Sequence, residues 1–152
     1  MVIDTMQDRL AAHPFLAGLP VEWLEPMSHH ACRSARHAGD RLFHEGTPAR
    51  RFWLLVEGRV ALDTTVRGRG EVVVDTLGPG AVLGWSWLFV PRTWHFGAVA
   101  VAPTQAIEFD AAGVLRLCDR DPALGYELSR RFLAVMLDRL QATRSRLPDV
   151  VR

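Results

Sequence analysis

Residues 51–77 read RFWLLVEGRVALDTTVRGRGEVVVDTL. Three apolar runs, 51–56, 60–66 and 71–77, are separated by Glu57-Gly58 and by RGRG at 67–70. Both separators are turn signals, so the spacing predicts two successive hairpins. Phe52, Leu54 and Val56 share one parity and Trp53 and Leu55 the other, which predicts a strand covered on both faces. Outward from this stretch the punctuation continues, with glycines at 39, 46, 78, 80 and 84 and further strand-like runs at 81–83, 97–101 and 105–110. Seven or eight short strands with regular turns predict a sandwich, jelly roll or small barrel, here over about residues 33–110.

Helical signals flank the strands. Residues 4–12 suit a short helix with Asp4 as its cap, and residues 21–31 a second one. After Phe109 the period changes, giving a short helix at 111–118. Asp121-Pro122 then opens a long helix that Pro148 stops. About 25 residues at 1.5 Å each span about 38 Å, more than a small β domain needs for packing. Leu124, Leu128, Phe132, Met136, Leu140, Thr143 and Leu147 form one stripe, widened by Leu133 and Leu137. Such a stripe can lie back on its own sheet or meet its twin. The length favours a parallel pairing in a homodimer.

Composition bounds the rest. At 152 residues the chain suits a single domain with a real core. Hydrophobic residues at 49% and charged residues at 23% are ordinary for a globular protein. A net charge of +1 gives no whole-molecule attraction to nucleic acid or anionic membrane. No apolar run is long enough to span a bilayer, and MVIDTMQDRL lacks a signal-peptide core, so a cytoplasmic protein is expected. Cys32 and Cys118 fit no paired motif and read as buried free thiols. Only Asp149 to Arg152 follow Pro148, too little for a helix-turn-helix, so direct DNA binding is not expected.

Residues 78–101, GPGAVLGWSWLFVPRTWHFGAVAV, hold Trp85, Trp87 and Trp94 within ten positions, with Arg92 and His95 as the groups able to carry positive charge. A glycine-hinged apolar segment with polar chemistry at one end suits a pocket wall, and equally a pair of core strands.

The order of these features resembles the cyclic-nucleotide-binding domain family. HAGDRLFHEGTPARRFWLLVEGRVAL (37–62), LGPGAVLGW (77–85) and DPALGYELSRRFLAVMLDRLQAT (121–143) are similar to that family's glycine-turn motifs and final helix. The resemblance covers about residues 14–147 and implies a mainly β fold: a double-stranded β-helix, or jelly-roll-like β-roll, with N-terminal helices and a long C-terminal helix over about 111–147. It also implies a cassette in which a glutamate takes the ribose hydroxyl and an arginine takes the cyclic phosphate. The glutamate position falls on Trp85 and the arginine position on Trp94, while Ala81 stands where the family has aspartate. Thr143 matches a purine-contacting threonine of the catabolite-activator branch. Each lost charge-assisted hydrogen bond removes about 1.5–3 kcal/mol. Two such losses weaken binding by roughly two to four decades.

The resemblance therefore implies a regulatory sensor module with a remodelled pocket, lined by Gly84, Trp85, Ser86, Trp87, Leu88, Arg92, Thr93, Trp94, His95, Leu140 and Thr143, with Arg92 as the anion contact. A small-molecule ligand is expected, and a cyclic nucleotide only as a weak one. The rival is a ligand-free interaction module whose pocket the three indoles plug. An enzyme or metal protein is not expected. His44 stands alone in a turn, and adjacent His29 and His30 face about 100° apart on a helix.

Overall fold

The computed structural model describes residues 5–145, so Asp4, Leu147 and Pro148 lie outside the described residues. The chain opens with α1 (Met6–Ala12), capped by Thr5, whose hydroxyl accepts from the Asp8 amide while the Asp8 carboxylate accepts from the Thr5 amide. A 3-10 turn (Pro14–Leu16) and α2 (Val21–Ser28) follow. α2 is shorter than the sequence suggests because the chain enters β1 (Ala31–Arg36) at once. Next come β2 (Arg41–Phe43), β3 (Arg51–Glu57), β4 (Val60–Val66), β5 (Gly70–Leu77), β6 (Val82–Leu83), β7 (Gly97–Ala100) and β8 (Thr104–Asp110). Two helices close the fold, α3 (Ala111–Arg120) and α4 (Pro122–Ser145).

The strands form two antiparallel four-stranded sheets, ordered β1-β8-β3-β6 and β2-β7-β4-β5. The predicted β-roll with flanking helices is the observed fold. One of its two predicted hairpins is not. β4 and β5 pair across RGRG, with Val66 opposite Gly70, but β3 and β4 belong to different sheets. Glu57-Gly58 is a corner between sheets. Gly58 sits at φ 98° beneath the backbone of Pro103 and Thr104, and the Arg59 amide donates to Thr104 Oγ1 at 3.3 Å. β3 buries Phe52, Trp53, Leu54 and Leu55 in succession. A strand covered on both faces is best placed inside a sheet, and β3 pairs with β8 and β6.

The core has two layers. Between the sheets, Trp53 stacks on Phe43 at 5.6 Å, and Trp94 lies beyond Phe43. On the other face of β3, Phe52 stacks on Phe109 and on Trp87, and Phe132 of α4 meets Phe52 edge-on. α4 thus uses Leu124, Leu128 and Phe132 against its own sheet. Further along, Leu133, Leu137 and Leu140 are 56%, 53% and 65% exposed.

Two polar features stabilise this frame. Asp63, buried in β4, takes both forks of Arg41, at 3.1 and 2.7 Å, and Arg41 also reaches Glu71. The Arg41 hydrogen bonds hold the Asp63 carboxyl below its usual range. Asp121 accepts from the Leu124 amide at the start of α4 and from the Trp23 indole at 2.8 Å, tying α2 to the last helix. The cysteines correct an expectation: Cys32 is exposed on β1, an edge strand, not buried. The Cys118 thiol is half-buried, and burial pushes it up to about 11.

Candidate functional site

Gly84 ends β6 at φ 99°, a backbone conformation that favours glycine. A side chain there would meet the Trp94 ring at 2.9 Å. Trp94 is buried and stacks on Phe43 with ring centroids 3.7 Å apart and planes 13° from parallel. These rings fill the inner end of the roll. The space left among Phe43, Leu62, Leu83, Gly84, Ser86 and Trp94 is about 10 Å³, room for about one water.

Beyond that filled end the roll opens toward α4. A cleft of about 510 Å³ lies between Leu62, Val74, Asp75, Trp85 and Phe96 on the sheet side and Met136, Arg139, Leu140 and Thr143 on the helix. Ligand clefts commonly span about 300–1,000 Å³. Trp85, Leu140 and Thr143, expected at a common site, do share this cleft. Gly84, Ser86 and Trp94 line the filled end beside it.

His95 supports the wall from outside. Its exposed ring stacks on Trp85 at 4.9 Å, and its Nδ1 lies 2.8 Å from Ser86 Oγ. The remaining predicted residues are elsewhere. Trp87 is fully buried in the layer under α4, donating to the Gly84 carbonyl at 3.1 Å. Leu88 packs against the core from its edge. Thr93 forms a bridge with Pro48.

Arg92 is the largest displacement from expectation. Residues 92–94 are zipped to residues 46–49 by Ala49 N–H to the Arg92 carbonyl (2.8 Å), Trp94 N–H to Thr47 (2.9 Å) and Gly46 N–H to Trp94 (2.8 Å). Trp94 faces into the roll, while Arg92, at φ 58° in the left-handed region that interrupts the strand-like alternation, lies outside it. Arg92 Nε donates to the Trp87 carbonyl, and the residue borders a separate depression with Pro48, Arg50 and Asp110.

Among the described residues, the cation lining the cleft is Arg139, which the sequence did not single out. Its Nη2 donates to the Val82 carbonyl at 2.9 Å. Burial works against its charge, and Asp75 offsets part of that effect through space. Helical spacing could have found it, because Arg139 precedes Thr143 by one turn. Phe96 was also missed, being one more apolar residue in an apolar run. Among the described residues, no cluster of three His, Cys, Asp or Glu side chains is placed to hold a metal, and no helix is long and apolar enough to cross a membrane.

Comparison with known proteins decides the family. Residues 35–121, more than half of the chain, match the profile of the cyclic nucleotide-binding domain. The chain belongs to the cyclic nucleotide-binding domain family. A CRP-like cAMP-activated global transcriptional regulator of Mycobacterium tuberculosis is 25% identical over 114 residues, covering 74% of this chain and 49% of the relative. The chain therefore spans about half the length of the curated relatives it matches. Among solved structures, a Geobacter metallireducens protein named for inferred cyclic nucleotide binding superposes with a TM-score of 0.80 at 27% identity, covering 92% of this chain and 99% of that one. The catabolite activator protein of Thermus thermophilus gives 0.68 at 25% identity, over 90% of this chain and 62% of that one. A cyclic nucleotide-binding domain from Methylobacillus flagellatus gives 0.78 over 97% of this chain and 81% of that one; at 18% identity this is likeness of fold alone.

Proposed function

We propose that this cyclic-nucleotide-binding-type domain is a regulatory sensor module whose nucleotide cradle is occupied by its own aromatic side chains. Its ligand is flatter and more apolar than a cyclic nucleotide, and it binds in the cleft between Trp85 and α4. The observation that carries this reading is the Trp94–Phe43 stack beside Gly84, which leaves about 10 Å³ at the inner end of the roll. In the resemblance set out above, Trp94 and Trp85 stand at the phosphate and ribose contacts. Indoles offer neither a guanidinium fork nor a carboxylate. The adjoining 510 Å³ cleft supports retention of ligand binding in a changed form.

The domain works as a binding module and not as an enzyme, and contact with DNA is no part of this role. The names of the relatives describe cAMP activation and transcriptional regulation in proteins about twice as long, and those activities stay with them.

Thermal denaturation with cAMP, cGMP and a panel of aromatic acids tests the proposal. A ligand that binds only the folded state raises the melting temperature in proportion to its affinity. Stabilisation by an aromatic acid but not by the nucleotides is expected. Stabilisation by cAMP at micromolar concentration would refute it.

One observation favours a second reading, an assembly module. Leu133, Leu137 and Leu140 recur at spacings of four and three on the exposed side of α4, the spacing of a two-helix seam. A homodimer joined through α4 is compatible with either reading. Only the first requires a ligand.

A further inference from the structure

Three separate stretches of chain meet at a depression of about 400 Å³ on the outside of the roll: the loop before β3, the segment after the Ser86–Leu88 turn, and the junction of β8 with α3. Pro48, Pro91 and Leu115 give it apolar walls, and its charged residues are Arg50, Arg92 and Asp110. It shares no lining residue with the cleft under α4.

The backbone fixes these three residues, and their charges are left over. The Arg50 carbonyl accepts from the Ala111 amide at 3.0 Å, and the Asp110 amide donates to the His30 carbonyl at 2.8 Å. Among the described residues, neither the Arg50 guanidinium nor the Asp110 carboxylate has a hydrogen bond or an ion pair. Arg92 stands at φ 58°, a conformation that residues with a side chain seldom adopt. Its Nε donates to the Trp87 carbonyl at 3.1 Å. That bond orients the guanidinium, whose two Nη groups have no partner among the described residues. Backbone strain of this kind concentrates at binding sites.

The signs of the charges narrow the ligand class. A neutral apolar molecule would draw three charged groups away from water and replace none of their bonds. A plain anion gains from Arg50 and Arg92 but is opposed by Asp110, and a plain cation meets the reverse. A small zwitterion meets all three, because guanidinium forks suit a carboxylate and a carboxylate suits an ammonium.

We propose that this depression binds a free α-amino acid with an aliphatic side chain. Its carboxylate lies on Arg50 and Arg92, its ammonium on Asp110, and its side chain against Pro48, Pro91 and Leu115. A volume of about 400 Å³ is at the small end of ligand pockets, which span about 300–1,000 Å³, and suits a molecule of this size. The site is independent of the ligand proposed for the α4 cleft.

The test is calorimetry on the full chain with L-leucine and two analogues that each lack one charge, L-leucinamide and N-acetyl-L-leucine. Loss of a charge-assisted hydrogen bond weakens binding by about tenfold or more, so the wild type should prefer L-leucine to each analogue by at least that factor. Asp110→Asn should erase the preference over N-acetyl-L-leucine and keep the preference over L-leucinamide. Arg50→Gln should do the opposite. No binding of L-leucine by the wild type up to about 10 mM, equal affinity for all three compounds, or preferences that neither variant changes would each overturn the inference. Neither substituted side chain has a protein partner among the described residues, so both variants should melt with the wild type. Should one fold poorly, the wild-type comparison of the three compounds still decides.

Discussion

Trp94 lies face to face with Phe43, 3.7 Å between ring centroids, and its far edge stands where any side chain at position 84 would project. The indole is therefore a structural member of the roll. Trp94→Ala should destabilise the fold by about 3–5 kcal/mol, the usual result of emptying a buried aromatic site. Urea denaturation measures this directly. A loss below about 1 kcal/mol would mean that the indole is not packed as described.

His13 predicts a specific acid sensitivity. Its Nδ1 accepts from the Phe15 amide at 3.1 Å and its Nε2 lies 2.9 Å from the Leu55 carbonyl. Both contacts are satisfied together only by the neutral ring with its proton on Nε2. Burial lowers its pKa from the usual 6.5, with the bond to Leu55 acting the other way. A folded value below the unfolded one means that the stabilising contribution is complete above 6.5. It is lost as pH falls through the folded value. The melting temperature should fall on acidification below pH 6.5, and less steeply in His13→Gln, which cannot titrate. Identical slopes in the two proteins would exclude His13 as a source.

α4 divides at Phe132, and the division can be tested from both sides. Phe132→Ala removes a ring packed on Phe52, Trp87 and Phe15 and should cost about 3–5 kcal/mol. Leu133→Glu with Leu137→Glu changes exposed positions and should shift monomer stability by no more than about 0.5 kcal/mol per site. In sedimentation, the wild type is expected as a dimer and the double variant as a monomer. A monomeric wild type, or a double variant still dimeric, would count against pairing through this helix.

Much of this architecture can be read from the sequence, and the misreadings have identifiable causes. Strand runs, glycine turns and the period change after Phe109 are local signals, and the roll follows them. Glu57-Gly58 looks like a hairpin turn, but the alternative partners of β3 lie about fifty residues away at Ile107 and Glu108. Nothing local distinguishes a turn from a corner. The three tryptophans of residues 85–94 illustrate the same limit. Their spacing suggests one cluster, yet Trp94 enters the roll, Trp87 joins the layer under α4 and Trp85 borders the cleft. Trp94 is placed by the pairing of residues 92–94 with 46–49, a long-range choice, and Trp85 and Trp87 are parted by the 3-10 turn at Ser86–Leu88. Arg139 escaped notice because arginine on a long helix usually faces solvent. Its role depends on where β6 places the Val82 carbonyl.

Calorimetric titration with cAMP probes the occupied cradle most closely. With indoles at positions 85 and 94 and about 10 Å³ left at the inner end of the roll, no saturable binding is expected up to about 1 mM cAMP. A dissociation constant of about 10 μM or tighter, with the phosphate seated against Trp94, would contradict it.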